Sequence, residues 1–445
     1  MANSYLSRAT SSAGNQLKHT ISFWFKRSSL QSNQCMIAAS GDNSHANKRL
    51  YVFFSSGDYL YVKQYNGSST DYELITNRTF RDTSAWYHCV IHYDAANSTA
   101  NSRQRIWING VEETSFSART NPSTSTNSYL GGNGLNVYVG QDTNVSSRFF
   151  DGYISHLAIV DGSLVAPTSF GETDSTSGIW KFKSPSGVTW GTNGVHLKFE
   201  NSGALGTDSS GNTNTYTVNG NLKQALDTPS NVHATWNPLL PDAQTLSNGN
   251  TTFTNGSGAN WRVTGSTLAA SAGKWYCEIK ITELGGGSQI GVMNLNELPA
   301  SLATDLGSAA WSWSYYHTGN KRHSNNSTSY GATYTTGDIM GIAMDLDNNK
   351  LYFHKNGVYQ NSGVPTSGAT GTGSAFDLDA GGVYAFGTCS NDTGTNPIQD
   401  ANFGNGFFGT TAITSAGSNG NGSLFEYDVP SGYYALNTKN INTYG

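Results

Sequence analysis

Between residues 18 and 160 the chain is cut into short apolar runs: HTISFWFKR, CMIAAS, RLYVFFSS, YLYVKQY, WYHCVIHYD, RIWING, NVYVGQD and FDGYISHLAIVD. Gly, Asn, Asp and Ser punctuate them, and runs of this length and spacing predict a β-sandwich rather than helices. In TISFWFK a period of two puts Ile21, Phe23 and Phe25 on one face and Ser22, Trp24 and Lys26 on the other. One of those faces must be core. A second series begins near Trp261 and includes KWYCEIKI, QIGVMNL, AWSWSYY, DIMGIAMDLD, KLYFHKNG and GGVYAFGTCS.

The two series share a local plan. WYHCVIHYD, a polar turn and RIWING parallel DIMGIAMDLD, a turn and LYFHKNG; each second strand ends in Asn-Gly before Val. Asn-Gly is the preferred pair for a type I′ turn, because both central residues take positive φ. The fold class expected is all-β, two sandwiches in tandem. The Gly/Asn/Ser/Thr-rich stretch between them is expected to hold a hairpin, DSSGNTNTYTVNGNL, and an extended connector, DTPSNVHATWNPLLP. The expected boundaries are 1–190, 191–244, 245–410 and a C-terminal extension, 411–445, that is ordered on its own domain or on a partner.

Composition agrees. Only 12% of the 445 residues are charged, against about 25% in average globular chains, whereas 51 glycines and many aromatic residues suit turns and sheets. A net charge of -5 offers no footprint for a phosphate backbone, so no nucleic-acid partner is expected. The N-terminus lacks the apolar core of a signal peptide and no window approaches 18 apolar residues, so neither export nor membrane insertion is expected. Cys35, Cys89, Cys277 and Cys389 form no CxxC; free buried thiols are the simpler reading, although two in each half would permit one disulfide per domain.

Few residues suggest chemistry. If Asp345 opened a calcium loop, position 6 would be Lys350 where Gly is needed and position 12 would be Asn356 where Glu belongs. The residues read instead as a hairpin whose Asp and Asn side chains shape a turn. Glu112 and Glu113 are adjacent and point to opposite faces of a strand, and Asp377 and Asp379 lie in a Gly-rich segment, so no carboxylate pair for glycoside cleavage is apparent. There is no GxSxG elbow and no phosphate loop. His88 and His92 have helical zinc spacing but sit in a strand, about 13 Å apart. No enzymatic activity, catalytic residue, metal ligand or cofactor is expected.

At WYHCVIHYD, RIWINGVEE and FFDGYISHLAIVDG the first half resembles laminin G-like domains of the concanavalin type. SAGKWYCEIKI, GDIMGIAMDLDNNKLYFHKNG and VYAFGTCSNDTGTNPIQDANFGN resemble a SPRY domain over about 245–410. Both resemblances imply concanavalin-like jelly-roll sandwiches. The combination, with LKFENSGALGTDSSGNTNTYTVNGNL and the ending FEYDVPSGYYALNTKNIN, resembles structural proteins of tailed phages. It implies a noncatalytic virion component, a tail fibre, spike or capsid-decorating protein, made in the host cytoplasm and residing in the virion. Other virion proteins, a homo-oligomeric or multi-copy assembly and a host-surface glycan are the partners expected. A virion polysaccharide depolymerase and a purely architectural protein are the alternatives.

The ligand-binding residues expected are Trp311, Trp313 and Tyr315, which alternation places on one face, with Lys321, Arg322, Asn325 and Asn326 in the polar segment after them. Partner recognition in SPRY domains commonly uses loops at one end of the sandwich. Core packing is the competing reading for the three rings. The loops 42–47 and 121–133 are comparable places in the first domain.

Overall fold

The computed structural model describes residues 4–42, 48–143, 148–242, 245–256, 258 and 260–445. The chain forms two units, Met1–Gln224 and Ala225–Gly445.

The first unit is a two-sheet sandwich. Its strands are β1 (Tyr5–Ala9), β2 (Lys18–Arg27), β3 (Gln34–Ser40), β4 (Lys48–Phe54), β5 (Tyr59–Asn66), β6 (Thr70–Thr79), β7 (Tyr87–Asp94) and β8 (Gln104–Ile108). They continue with β9 (Val111–Glu113), β10 (Phe116–Thr120), β11 (Asn136–Val139), β12 (Gly152–Asp161), β13 (Gly171–Thr173), β14 (Trp180–Phe182), β15 (Val195–Leu197) and β16 (Thr217–Asn219). An eight-stranded sheet runs β10-β6-β5-β4-β3-β11-β1-β16, and a six-stranded sheet runs β15-β12-β2-β7-β8-β9. Between them lie Ile21, Phe23 and Phe25 from β2, Leu50, Val52 and Phe54 from β4, and Leu60 and Val62 from β5. The period-two phase read from TISFWFK is the phase found.

The second unit repeats the plan. Its strands are β17 (Thr245–Ser247), β18 (Thr252–Thr254), β19 (Trp261–Gly265), β20 (Lys274–Glu283), β21 (Gly287–Asn294), β22 (Ser312–Tyr316), β23 (Asn320–His323), β24 (Asn326–Ser329) and β25 (Ile339–Asp345). After them come β26 (Lys350–Lys355), β27 (Val358–Tyr359), β28 (Phe376–Asp377), β29 (Tyr384–Asn391), β30 (Ile398–Asn402), β31 (Phe407–Phe408), β32 (Thr411–Ala412), β33 (Tyr434–Ala435) and a closing helix, α1 (Thr438–Tyr444). The main paths are β17-β18-β30-β20-β25-β26-β27 and β19-β29-β21-β22-β23-β24. Ile342, Met344, Leu351 and Phe353 from the central hairpin fill the core, while Ala343 and Tyr352 face outward.

The two Asn-Gly turns take the expected backbone. φ is 50° and 78° at Asn109 and Gly110, and 49° and 83° at Asn356 and Gly357. Each glycine is also covered by an aromatic ring: a Cβ would lie 2.5 Å from Trp180 at Gly110 and 2.7 Å from Tyr427 at Gly357. We expect Gly357→Ala to lose about 1–2 kcal/mol from the left-handed backbone alone, and more if Tyr427 cannot move. Chemical denaturation followed by tryptophan fluorescence measures this, and an unchanged midpoint would mean that the turn relaxes freely.

Two boundaries differ from expectation. The stretch 191–224 is not a connector but completes the first unit. Val195–Leu197 pairs with β12, and Thr217–Asn219 adds to Tyr5–Ser7 of β1 rather than closing a hairpin on its own neighbours. Three-residue strands in a Gly/Asn-rich stretch leave no periodicity to read. Residues 225–242 likewise belong to the second unit, where Ala234 and Trp236 are buried in its core.

Candidate functional site

The hairpin acids are structural. Asp345 is buried; its carboxylate accepts the Asn348 backbone N–H at 3.0 Å and side-chain amide at 2.9 Å, and pairs with Lys274 at 3.0 Å. Asp347 accepts the Gly273 N–H at 2.8 Å. Glu112 pairs with Arg105 and Glu113 with Arg78, on opposite faces of β9. His88 stacks on Trp24 at 4.7 Å, lies 2.8 Å from Ser22 Oγ and accepts the Trp180 indole N–H at 3.0 Å. Burial pushes it down to about 3, so it stays a neutral packing group. His92 contacts the Val165 carbonyl at 2.8 Å and Trp107. All four cysteines are buried free thiols, and burial raises each of them.

The aromatic triplet expected to bind a ligand is not available to one. Trp311, Trp313 and Tyr315 are 6%, 1% and 0% exposed. Trp313 and Tyr315 point into the sandwich core, whereas Trp311 precedes β22 and packs with Val263, Met293, Leu302 and Leu306 on the opposite side. Alternation set the phase of the strand, but it could not say which side was roofed. Lys321 is also committed: its ammonium donates to the Ala375 carbonyl at 2.5 Å and sits 5.1 Å from the Phe376 ring. Arg322 pairs with Asp305 and reaches the Asn325 side chain at 2.5 Å. Asn325 and Asn326 are exposed, and every residue of the edge strand β24 is exposed with them. Of the first domain's loops, residues 43–47 lie outside the described residues.

Among the described residues, three of the four outward sheet faces carry an apolar roof from segments distant in sequence. The six-stranded sheet of the first unit presents Val90, Trp107, Ala158 and Val160, roofed by Phe170, Val165, Val188 and Trp190. In the second unit, Tyr276, Ala343 and Tyr352 are roofed by Phe425, Val429 and Tyr433 of the C-terminal segment. Val263, Met293 and Cys389 are roofed by Leu302, Leu306 and Trp311. The eight-stranded sheet differs in part: among the described residues its outward face carries a buried patch of Cys35, Ala38 and Tyr51 edged by partly exposed rings.

Those rings follow from the alternation in RLYVFFSS and YLYVKQY. Leu50, Val52 and Phe54 go inward, leaving Arg49, Tyr51 and Phe53 outward; Leu60 and Val62 go inward, leaving Tyr59, Tyr61, Lys63 and Tyr65. Tyr51, Phe53 and Tyr61 form one cluster, with ring centroids 4.9 and 4.6 Å apart. Tyr5, Tyr138 and Phe149 form another, at 6.1 and 6.2 Å. Between them β3 offers only Cys35 and Ala38, buried beneath the larger side chains. Strand register sets Phe53 opposite Tyr61 and Cys35, Tyr51 opposite Lys63 and Ala38, and Ala38 opposite Tyr138. The charged side chains there are mutually paired: Lys63 with Glu73 at 3.1 Å, and Arg49 and Arg148 with the buried Asp142 at 3.8 and 3.1 Å. Sequence reasoning passed over this face although its signal was present, because both phases of β4 and β5 are aromatic or aliphatic.

Residues 2–168 match the laminin G-like model of the Concanavalin A-like lectin/glucanases superfamily, and residues 274–395 match the SPRY domain. The chain carries a laminin G-like domain and a SPRY domain. These two families, typically noncatalytic binding domains, account for the doubled sandwich and for its all-β concanavalin-like architecture. Over 97 residues the chain is 32% identical to ATP-dependent RNA helicase DDX1 of Xenopus laevis, a stretch covering 22% of this chain and 12% of that protein. Over 101 residues it is 33% identical to Ran-binding protein 9 of Mus musculus, covering 20% and 14%. The chain thus spans a small fraction of the length of these relatives. Among solved structures it is similar to the SPRY domain of human HERC1, with 18% identity and a TM-score of 0.31, covering 37% of this chain and 96% of that one. The TRIM65 PSpry domain gives 14% and 0.28, covering 38% and 91%. Among the described residues no helix is long and apolar enough to cross a membrane.

Proposed function

We propose that this chain is a noncatalytic structural protein of a tailed-phage particle, present in many copies, that adheres to host-surface glycans through the laminin G-like domain. The observation that carries the adhesive part is the group of partly exposed rings, Phe53, Tyr61, Tyr5 and Phe149, on the outward face of the eight-stranded sheet. Exposed apolar patches rimmed by polar groups mark interaction sites, and Tyr and Trp rings combine a flat apolar face with a polar edge suited to sugars. The particle assignment is supported by the resemblance of the linker and of the ending FEYDVPSGYYALNTKNIN to tailed-phage structural proteins.

The SPRY domain is assigned the contact with a neighbouring particle protein, through Arg322, Asn325, Asn326 and the exposed edge strand β24. A relative whose name is Ran-binding protein 9 supports a protein partner for such a domain. Labelling of purified particles with an antibody to this chain tests the assignment. Regular decoration of capsid or tail is expected, and particles free of label would sink it. Incubation with host polysaccharide should give binding without new reducing ends; their release would favour a depolymerase.

A further inference from the structure

The two sandwiches repeat one three-residue clasp. Lys274, the first residue of β20, lies opposite Asp345, the last of β25, and Asn348 follows three residues on; Lys18 of β2, Asp94 of β7 and Asn97 stand in the same relation. The clasps differ in how tightly they close. In the second unit the Lys274 ammonium and the Asn348 amide nitrogen both meet Oδ2 of Asp345, at 3.0 and 2.9 Å, whereas in the first Lys18 meets Oδ1 of Asp94 at 3.7 Å and Asn97 meets Oδ2 at 3.4 Å. We propose that Lys274 and Asn348 join in an amide bond, formed by the chain on itself with loss of ammonia, while the first clasp stays open.

Position is the first argument. Two donors on one oxygen are held within two hydrogen-bond lengths of each other, and Cγ of Asn348 is one bond from its nitrogen. The backbone fixes both sides: the Leu346 N–H donates to the Gly273 carbonyl at 2.9 Å, the Gly273 N–H to Asp347 at 2.8 Å, and the Asn348 N–H to Oδ1 of Asp345 at 3.0 Å. Holding two reactants in this way turns an encounter into an intramolecular step.

Shielding is the second argument. The Asp345 side chain is fully buried, Lys274 is 24% exposed, and the buried Tyr433 ring lies 5.9 Å from the ammonium. A lysine becomes a nucleophile where water is scarce and a base is within reach. Lys18, 40% exposed, keeps its water.

The step balances without an oxidant or a co-reactant. Asp345 takes a proton from the Lys274 ammonium, and the freed electron pair attacks Cγ of Asn348 to form the Nζ–Cγ bond. Asp345 returns that proton to Nδ2, the Cγ–Nδ2 bond breaks and ammonia leaves. The surplus Nζ proton passes through Asp345 to the ammonia, so the products are an amide, ammonium and the restored carboxylate.

Tryptic digestion and mass spectrometry of the full-length chain, purified at neutral pH, test the bond. Residues 263–280 and 323–350 should be recovered as one joined peptide, lighter than their sum by one ammonia, with Lys18 and Asn97 in separate peptides. Asp345→Asn should leave the two peptides separate with circular dichroism unchanged. Should that variant fail to fold, Lys274→Arg, which keeps the charge but not the nucleophile, should do the same. Separate peptides from the native chain overturn the inference and leave the clasp an ion pair, as does ammonia lost without joining, the mark of a succinimide at an Asn-Gly pair. A joined peptide that survives Asp345→Asn overturns the part given to that carboxylate, and joining at both clasps overturns the role of the shared oxygen.

Discussion

Asp58→Ala is expected to destabilise the first sandwich by about 3–5 kcal/mol, because it leaves a buried guanidinium without its counter-ion. Arg27 and Asp58 have fully buried side chains, with Nη1 3.0 Å from Oδ1. Arg27 also donates to the Phe80 carbonyl at 2.8 Å, and its guanidinium lies 4.4 Å from the Phe54 ring centroid. Asp58 accepts two further bonds, from the Gln31 N–H at 2.8 Å and from Arg81 Nε at 3.0 Å. Burial alone would raise the carboxyl, but these donors and the charge of Arg27 outweigh it and hold Asp58 below the usual carboxylate range. Chemical denaturation measures the loss. The double variant Arg27→Met/Asp58→Ala should recover part of it, since an apolar side chain of similar length has no charge to strand. A double variant no better than the single would show that the pair acts by shape instead.

Glu278 is the second position where a large effect is expected. Its carboxylate sits beneath the C-terminal segment and accepts the backbone N–H groups of Glu426 and Tyr427, each at 2.9 Å, and the Asn402 amide at 3.2 Å. The Tyr276 hydroxyl lies 3.0 Å from it and 2.6 Å from Nε2 of the buried His354. Glu278→Ala would strand several buried donors at about 1–3 kcal/mol each, so a loss of about 3–5 kcal/mol is expected. Proteolysis within 411–424 should accelerate as the segment lifts.

The same residue sets a pH dependence. Burial raises Glu278 to about 7 from 4.5 despite the donors around it. Between those values the folded chain keeps a proton that the unfolded chain releases, so stability is greatest below about 4.5, falls as pH rises toward 7, and is level above. A shift of this size corresponds to roughly 2–4 kcal/mol. Calorimetry of the unfolding of the second unit at pH 5 and pH 8 should show this fall, and Glu278→Gln should remove most of it. An unchanged slope in that variant would assign the pH dependence to other groups.

The hairpin GDIMGIAMDLDNNKLYFHKNG was fully legible: strand, turn, strand and the phase of each face follow from period two and from Asn-Gly chemistry. Both are local properties of adjacent residues. The candidate ligand site was not legible at Trp311, Trp313 and Tyr315, because a ring on a strand looks the same in sequence whether it is core or surface. The short strands β15 and β16 escaped for a related reason. Their partners lie in β12 and β1, and pairing at that separation leaves no mark on a three-residue stretch.

The sequence by itself determined the longer strands, the alternation of faces in strands such as β2, β25 and β26, and the doubling of the sandwich, since backbone alternation converts apolar spacing directly into faces. Only the tertiary structure decided which outward faces are closed. That choice belongs to segments distant in sequence, 165–190 over one sheet, 295–311 over another and 425–435 over a third. Such coverings form because buried apolar area is gained without regard to chain separation. On the fourth face, Cys35, Ala38 and Tyr51 are buried while Tyr5, Phe53 and Tyr61 stay partly exposed, a division that alternation alone could not set.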